Sequence, residues 1–316
     1  MERFPLVPGP TPLQRLDRLG ADRGVELWIK RDDLTGLALG GNKTRKLEFL
    51  VGDALARGAD TLVTSGAAQS NHCRQTAAAA ARAGLACHLA LGGDGSEARE
   101  GNLLLDVLLG AHLHWCGAAR KGEDAVRIAD GLHARGAVPY VVPYGGSDAV
   151  GARGFVHAAG ELATQCVAAE LSFDAVVFAS SSGGTHAGLL AGASLHGIDT
   201  RWIGVRIDKD PNPDGDLPET IAGLGGELAD GVLPPIELVE DFLEPGYGVI
   251  TALEREAIRT LARTEGILLD PVYTGRAFGG LLAMLADGRI ARGSRVLFWH
   301  TGGHPALFTD AASALL

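Results

Sequence analysis

The stretch D-A-V-V-F-A-S-S-S-G-G-T-H-A-G, residues 174–188, decides the fold. An unbroken apolar run of strand length is followed by a Ser/Gly turn and then by a helical segment. A strand that is apolar on both faces belongs in a sheet covered on both sides, and such sheets are parallel. Outward from this unit the same alternation repeats. Strands are expected at 60–65, 86–91, 112–115 and 138–142, then at 174–179, 201–207 and 295–299. Helices are expected at 71–83, 102–109, 124–135 and 150–170, and an amphipathic one at 251–264. Alternating β and α units imply parallel sheets covered by helices, and two such series imply two α/β domains. The polar stretch 208–216 reads as a loop within the second series.

Composition excludes several functions. The 316 residues carry a formal net charge of −10 without a basic run, so nucleic acid is not an expected partner. The four cysteines, Cys73, Cys87, Cys116 and Cys166, form no C-x-x-C pair, and no metal site is expected. Sparse cysteines fit a reducing cytoplasm. The opening M-E-R-F-P-L-V-P-G-P has no apolar core of signal-peptide length. No segment reaches the roughly 18 apolar residues of a membrane span.

Ligands of parallel sheets bind beyond the carboxyl ends of the strands, and here those ends are polar. G-A-A-Q-S-N-H (66–72) follows one strand and enters a helix with Ser70, Asn71 and His72. S-S-S-G-G-T-H-A-G (180–188) follows another, and its glycines let main-chain N–H groups approach an anion at a helix start. D-P-V-Y-T-G-R-A (270–277) and H-T-G-G-H-P (300–305) are two more such turns. A lysine, Lys43, sits in G-G-N-K-T. It is not the lysine of a nucleotide phosphate loop, because Asn42 stands where that motif needs glycine. A lysine amine also condenses with carbonyl compounds, pyridoxal phosphate among them. Such a site needs a phosphate cradle and a group facing the pyridine nitrogen. Lys43, the 182–186 turn and Thr274 supply the three parts.

The motifs G-G-N-K-T-R-K-L-E-F-L, Q-S-N-H-x-R-Q-T-A, S-G-G-T-H-A-G-L, D-P-V-Y-T-G-R-A and H-T-G-G-x-P-A-L-F together resemble the D-cysteine desulfhydrase and 1-aminocyclopropane-1-carboxylate (ACC) deaminase family. The resemblance runs from about Pro5 to Phe308. It implies a pyridoxal-phosphate enzyme of the two-domain tryptophan-synthase β-subunit fold (fold type II). The large domain would be 1–48 plus 149–316 and the small inserted one 49–148. It implies Lys43 as the Schiff-base lysine and Asn71 on the cofactor's phenolic oxygen. Ser70 would face the substrate, with His72 beside it. Gly183, Gly184, Thr185 and His186 would hold the phosphate, with Lys46 adding charge nearby. Tyr273 and Tyr247 match the family's two active-site tyrosines. A homodimer is implied as well.

ACC deaminases resemble D-P-V-Y-E-G where this chain has Thr274. A neutral threonine leaves the pyridine nitrogen less protonated, which suits β-elimination better than ring opening. The expected reaction is elimination from D-cysteine or a related β-substituted alanine to pyruvate, ammonia and sulfide. Lys43 is the expected base; Ser70, Tyr247 or Tyr273 would assist a proton transfer. His304 departs from the family's usual alanine or valine. Facing a sulfonate, it would point instead to an L-cysteate sulfo-lyase. ACC deamination and a cysteine-synthase-like β-replacement are further alternatives.

Overall fold

The computed structural model describes residues 2–210 and 215–315. In chain order the first elements are β1 (Leu13–Arg15), α1 (Asp17–Arg23), β2 (Glu26–Arg31) and α2 (Lys43–Ala56). Next come β3 (Thr61–Ala67), α3 (Asn71–Ala83), β4 (Ala86–Gly92), α4 (Gly101–Leu108), β5 (His112–Trp115), α5 (Ala125–His133) and β6 (Pro139–Val141). The chain continues through α6 (Ala149–Ala169), β7 (Ala175–Ser180), α7 (Gly184–His196), β8 (Arg201–Arg206), α8 (Leu217–Leu228) and β9 (Glu237–Val239). It ends with α9 (Ala252–Glu265), α10 (Thr274–Ala286) and β10 (Arg295–His300).

Two sheets form. One has the order β1-β2-β10-β7-β8-β9, the other β5-β4-β3-β6. Among the described residues every pairing of named strands is parallel except β1 with β2, an antiparallel edge. The expected strands and helices are present, with ends displaced by one or two residues. β1, α1, β2, α8 and β9 were not foreseen. Residues 211–214 of the expected 208–216 loop lie outside the described residues. No described helix is long and apolar enough to cross a membrane.

The six-stranded sheet is buried on both faces. One face packs Ile29, Val177, Val205 and Phe298 against α9 and α10. The other packs Phe178, Trp202 and Trp299 against α6 and α7. The alanine-rich α3 packs Ala77, Ala79 and Ala80 on the second sheet, where small side chains let helix and strands approach.

A buried charge cluster fixes α2. Arg45 donates to both oxygens of Asp32, at 2.8 Å each, and to Glu161 at 2.9 and 3.0 Å. Lys30 also donates to Glu161, and Trp299 Nε1 donates to Asp32 at 2.8 Å. This one cluster joins the end of β2, α2, α6 and β10, and so sets where Lys43 stands. The carboxyl ends of β3, β6, β7 and β10 all lead into segments that line one cleft.

Candidate active site

Lys43 opens α2. The turn before it runs through positive φ at Gly36, Ala38, Leu39, Gly40 and Gly41. Such a backbone costs free energy at Ala38 and Leu39 and persists only where its surroundings impose it. Here Arg74 imposes it, donating to the carbonyls of Ala38 and Gly40. Thr35 Oγ1 accepts from Gly41 N–H at 2.8 Å. The Lys43 amine donates to Asn42 Oδ1 at 3.3 Å. Burial lowers its pKa to about 8, and the Asp270 carboxylate opposes that fall. Asn42 Nδ2 donates to Thr185 Oγ1 at 3.2 Å, linking the lysine turn to the turn after β7.

The turn after β7 ends in α7, whose N-cap Gly183 has φ 86° and supplies no side-chain cap. The first N–H groups of a helix lack intrahelical partners and attract anions. A Cβ at Gly184 would lie 2.8 Å from Ser147 Oγ and 2.9 Å from Lys46 Nζ. Lys46 stands behind the turn rather than in the cleft. Its amine donates to Gly145 O and Ser147 Oγ, at 3.0 Å each. Burial and then the neighbouring Lys43 hold its pKa well below the ordinary lysine value. Gly184 N–H donates to Ser147 Oγ at 3.2 Å. The His186 ring points into the core, 3.1 Å from Ser180 Oγ and edge-on to Phe178. Burial keeps it neutral, with a pKa of about 3. Only its main chain serves the turn.

The opposite wall is the start of α3. Ser70 Oγ accepts from Cys73 N–H at 3.2 Å as N-cap, which leaves its hydroxyl hydrogen available to the cleft. Asn71 Oδ1 accepts from Asn102 Nδ2 at 3.0 Å, and Asn102 Oδ1 accepts from Arg74 Nε at 2.7 Å. Arg74 can only donate, so the chain of bonds fixes both amides and leaves Asn71 Nδ2 as a free donor. The His72 ring lies 2.8 Å from Thr64 Oγ1 and is buried, a support for the wall more than a contact surface.

The hydroxyls of Tyr247 and Tyr273 lie 2.6 Å apart with their rings edge-to-face. Below them Asp270 accepts from the N–H groups of Val272 and Tyr273 at 3.0 Å each and of Thr274 at 2.6 Å. The fully buried Thr274 donates its hydroxyl to Asp270 Oδ1 at 2.7 Å and accepts from Asp270 N–H at 2.8 Å. Its side chain thus faces Asp270 and does not line the cleft.

Lys43, Ser70, Asn71, His72, Gly183, Thr185, His186, Tyr247 and Tyr273 line one cleft of about 710 Å³, part of it open to solvent. Lys46, Gly184 and Thr274 stand directly behind its walls. His304 does not join it. Its Nε2 lies 2.9 Å from the Leu268 carbonyl, which also accepts from His300. Asn42, Tyr144, Thr301 and Gly302 line the cleft without having been foreseen as contacts. Asn42 had one available signal: it interrupts a glycine-lysine motif directly before Lys43.

The residues present fit pyridoxal phosphate. An amine of lowered pKa suits condensation with an aldehyde. The uncapped, glycine-lined helix start suits a phosphate, and Asn71 Nδ2 suits an oxygen at the ring. Comparison with known proteins agrees. The sequence profile of the pyridoxal-phosphate dependent enzymes matches residues 5–302. The chain is 45% identical over 320 residues to the D-cysteine desulfhydrases of Salmonella newport and Salmonella heidelberg, covering 98% of this chain and 97% of each relative. An ACC deaminase homologue of known structure superposes with a TM-score of 0.91 at 40% identity, covering 100% of this chain and 95% of that one. Threonine deaminase isoform 2 from Solanum lycopersicum shares the fold, with a TM-score of 0.69 at 18% identity over 93% of this chain and 79% of that one. The chain belongs to the pyridoxal-phosphate-dependent enzymes and has their fold type II architecture.

Proposed function

We propose that this enzyme is a lyase that eliminates sulfide from D-cysteine, with water giving pyruvate, ammonia and hydrogen sulfide. The observation that carries the reading is one cleft holding both a lysine amine of lowered pKa and a hydrogen-bonded pair of phenols. Elimination needs a base for the α-proton and a proton source for the departing sulfur. Lys43, with a pKa of about 8, is the base. The Tyr247–Tyr273 pair is the proton source, and the Ser70 hydroxyl holds the substrate carboxylate. The bound cofactor supplies the electron sink that makes the α-hydrogen acidic. Gly183, Thr185 and the main chain of His186 bind its phosphate, with Lys46 behind them. Asn71 orients its ring.

Asp270 already accepts four hydrogen bonds at the start of α10. It is committed to the helix and not free to protonate a pyridine nitrogen, which favours elimination over ring opening. The contact of His304 with the Leu268 carbonyl supports sulfide over sulfonate as the leaving group. The proposal includes a cytoplasmic homodimer, with domains at 1–48 plus 149–316 and at 49–148. The second sheet, drawn entirely from residues 61–141, supports that division, although α2 runs unbroken through residue 48.

The test is sulfide and pyruvate release from D-cysteine by the purified holoenzyme, with L-cysteine, L-cysteate and ACC alongside and Lys43→Ala as control. Sulfide from D-cysteine, lost in Lys43→Ala, is expected. Sulfite from L-cysteate or 2-oxobutanoate from ACC, without sulfide from D-cysteine, would replace the reading by the corresponding one.

A further inference from the structure

Tyr247 lies in a segment without regular structure between β9 and α9, yet it must hold its hydroxyl against that of Tyr273. Two arginines fix it. From beneath, the buried Arg276 donates to the carbonyls of Gly246 and Val249, at 3.1 Å each, and its Nε lies 2.6 Å from Glu254. From above, the Arg120 guanidinium stands 4.8 Å from the centre of the Tyr247 ring. Arg120 comes from the segment between β5 and α5, on the four-stranded sheet. It reaches across to Asp208, 3.1 Å away, and Asp210, 3.0 Å away, in the segment after β8. Lys121 reinforces the crossing with an ion pair of 3.1 Å to Asp208.

We propose that Arg120 is a positioning residue for the Tyr247–Tyr273 pair: it fixes the Tyr247 ring and makes Tyr247 the phenol that gives up its proton first. Two oxygens 2.6 Å apart share a single hydrogen between them. A guanidinium over a ring face stabilises negative charge on that ring. The Asp270 carboxylate, which accepts from the Tyr273 N–H, opposes ionisation of both phenols, whereas the Arg120 guanidinium stands against the Tyr247 ring and favours its ionisation. Tyr273 is therefore the donor and Tyr247 the acceptor. The titrating and charged groups around Tyr247 are Tyr273, Arg120, Asp208, Asp270 and Tyr144, and Tyr144 interacts with both phenols of the pair. Burial raises both phenols. Tyr247 rises less, because the Tyr273 hydroxyl and Arg120 oppose the burial. Asp208 pulls the other way, but Arg120 stands against the ring. The proposal relies on the lyase reading only for the use made of the proton.

The test is a near-ultraviolet phenolate titration of the holoenzyme, which has only four tyrosines. The first ionisation should vanish in Tyr247→Phe. It should move upward by about one pH unit in Arg120→Met, tenfold in the ionisation constant, and downward in Asp208→Asn, which removes the countercharge. Arg120→Lys should restore most of the wild-type value. The limb of the kcat pH profile governed by the pair should shift with it. An unmoved step in Arg120→Met, or shifts of the same sign in Arg120→Met and Asp208→Asn, would overturn the proposal, the latter being what a merely loosened loop gives. The titration needs no turnover. Failure of D-cysteine as substrate therefore leaves it standing, and a failed titration beside normal sulfide release sinks this proposal alone.

Discussion

Replacing Lys43 by methionine should make the cofactor-free protein more stable at neutral pH. Burial lowers the amine's pKa from 10.5 to about 8, against the pull of Asp270. The unfolded chain keeps this proton up to about pH 10.5, the folded chain only up to about pH 8. Between those values the folded state binds fewer protons, so stability rises with pH across the window. Below pH 8 the amine is charged in both states and the full cost of burying it is present. At about 1.36 kcal/mol for each tenfold change, that cost is roughly 3 kcal/mol. Solvent in the cleft screens part of it, which leaves an expected gain of about 1–2 kcal/mol for Lys43→Met at pH 7. Methionine keeps an apolar stem of similar length, so little packing is lost. The assay is urea unfolding of cofactor-free wild type and variant at pH 7 and pH 10. The gap should shrink by more than half at roughly pH 10, where the folded wild type no longer carries the charge. Equal stabilities at pH 7, or a gap that does not change with pH, would refute the reasoning. The same cost has a use: at pH 7 roughly a tenth of the folded chains present a free amine, against about one in three thousand for an ordinary lysine.

Gly184→Ala should weaken pyridoxal phosphate binding by at least about tenfold, or ~1.4 kcal/mol, since its Cβ would meet Ser147 Oγ at 2.8 Å and Lys46 Nζ at 2.9 Å. Fluorescence titration of the cofactor-free protein measures this, and an unchanged Kd would remove the turn from the phosphate site. Arg45→Met leaves Asp32 and Glu161 buried with fewer cations and should cost about 3–5 kcal/mol in urea unfolding; a loss below about 1 kcal/mol would mean that the cluster does not hold α2. His304→Ala should leave kcat/KM for D-cysteine within about twofold, because the ring faces Leu268. A tenfold loss would return His304 to the substrate.

What could be read in advance, and what could not, divides by range. The glycine turns after the strands were legible because strand, turn and helix are contiguous, and local geometry alone brings Ser70, Asn71 and the 183–186 turn to the ends of parallel strands. β2 was not legible, because E-L-W-I-K-R puts a lysine and an arginine where a buried strand should be apolar. Lys30 is nevertheless fully buried. Its amine is neutralised by Glu161 and held by Gln165 at 2.8 Å, more than a hundred residues away. A charge whose partner lies that far along the chain reads as a surface residue until the fold closes. His304 shows the same limit from the other side. The turn that carries it was correctly placed beside the cleft, with Thr301 and Gly302 lining it. At the next residue Gly303 has φ 110°, and the imidazole of His304 meets a carbonyl of the segment before Asp270. Asp270 and Asn42 acquire their roles in the same way, by what other turns bring to them. Asp270 gathers the first N–H groups of α10 while its charge acts on Lys43. Asn42 spans from that lysine to Thr185 on the turn after β7. The sequence therefore singles out Lys43, but the lowered pKa of its amine comes from burial opposed by Asp270, which only the folded chain assembles.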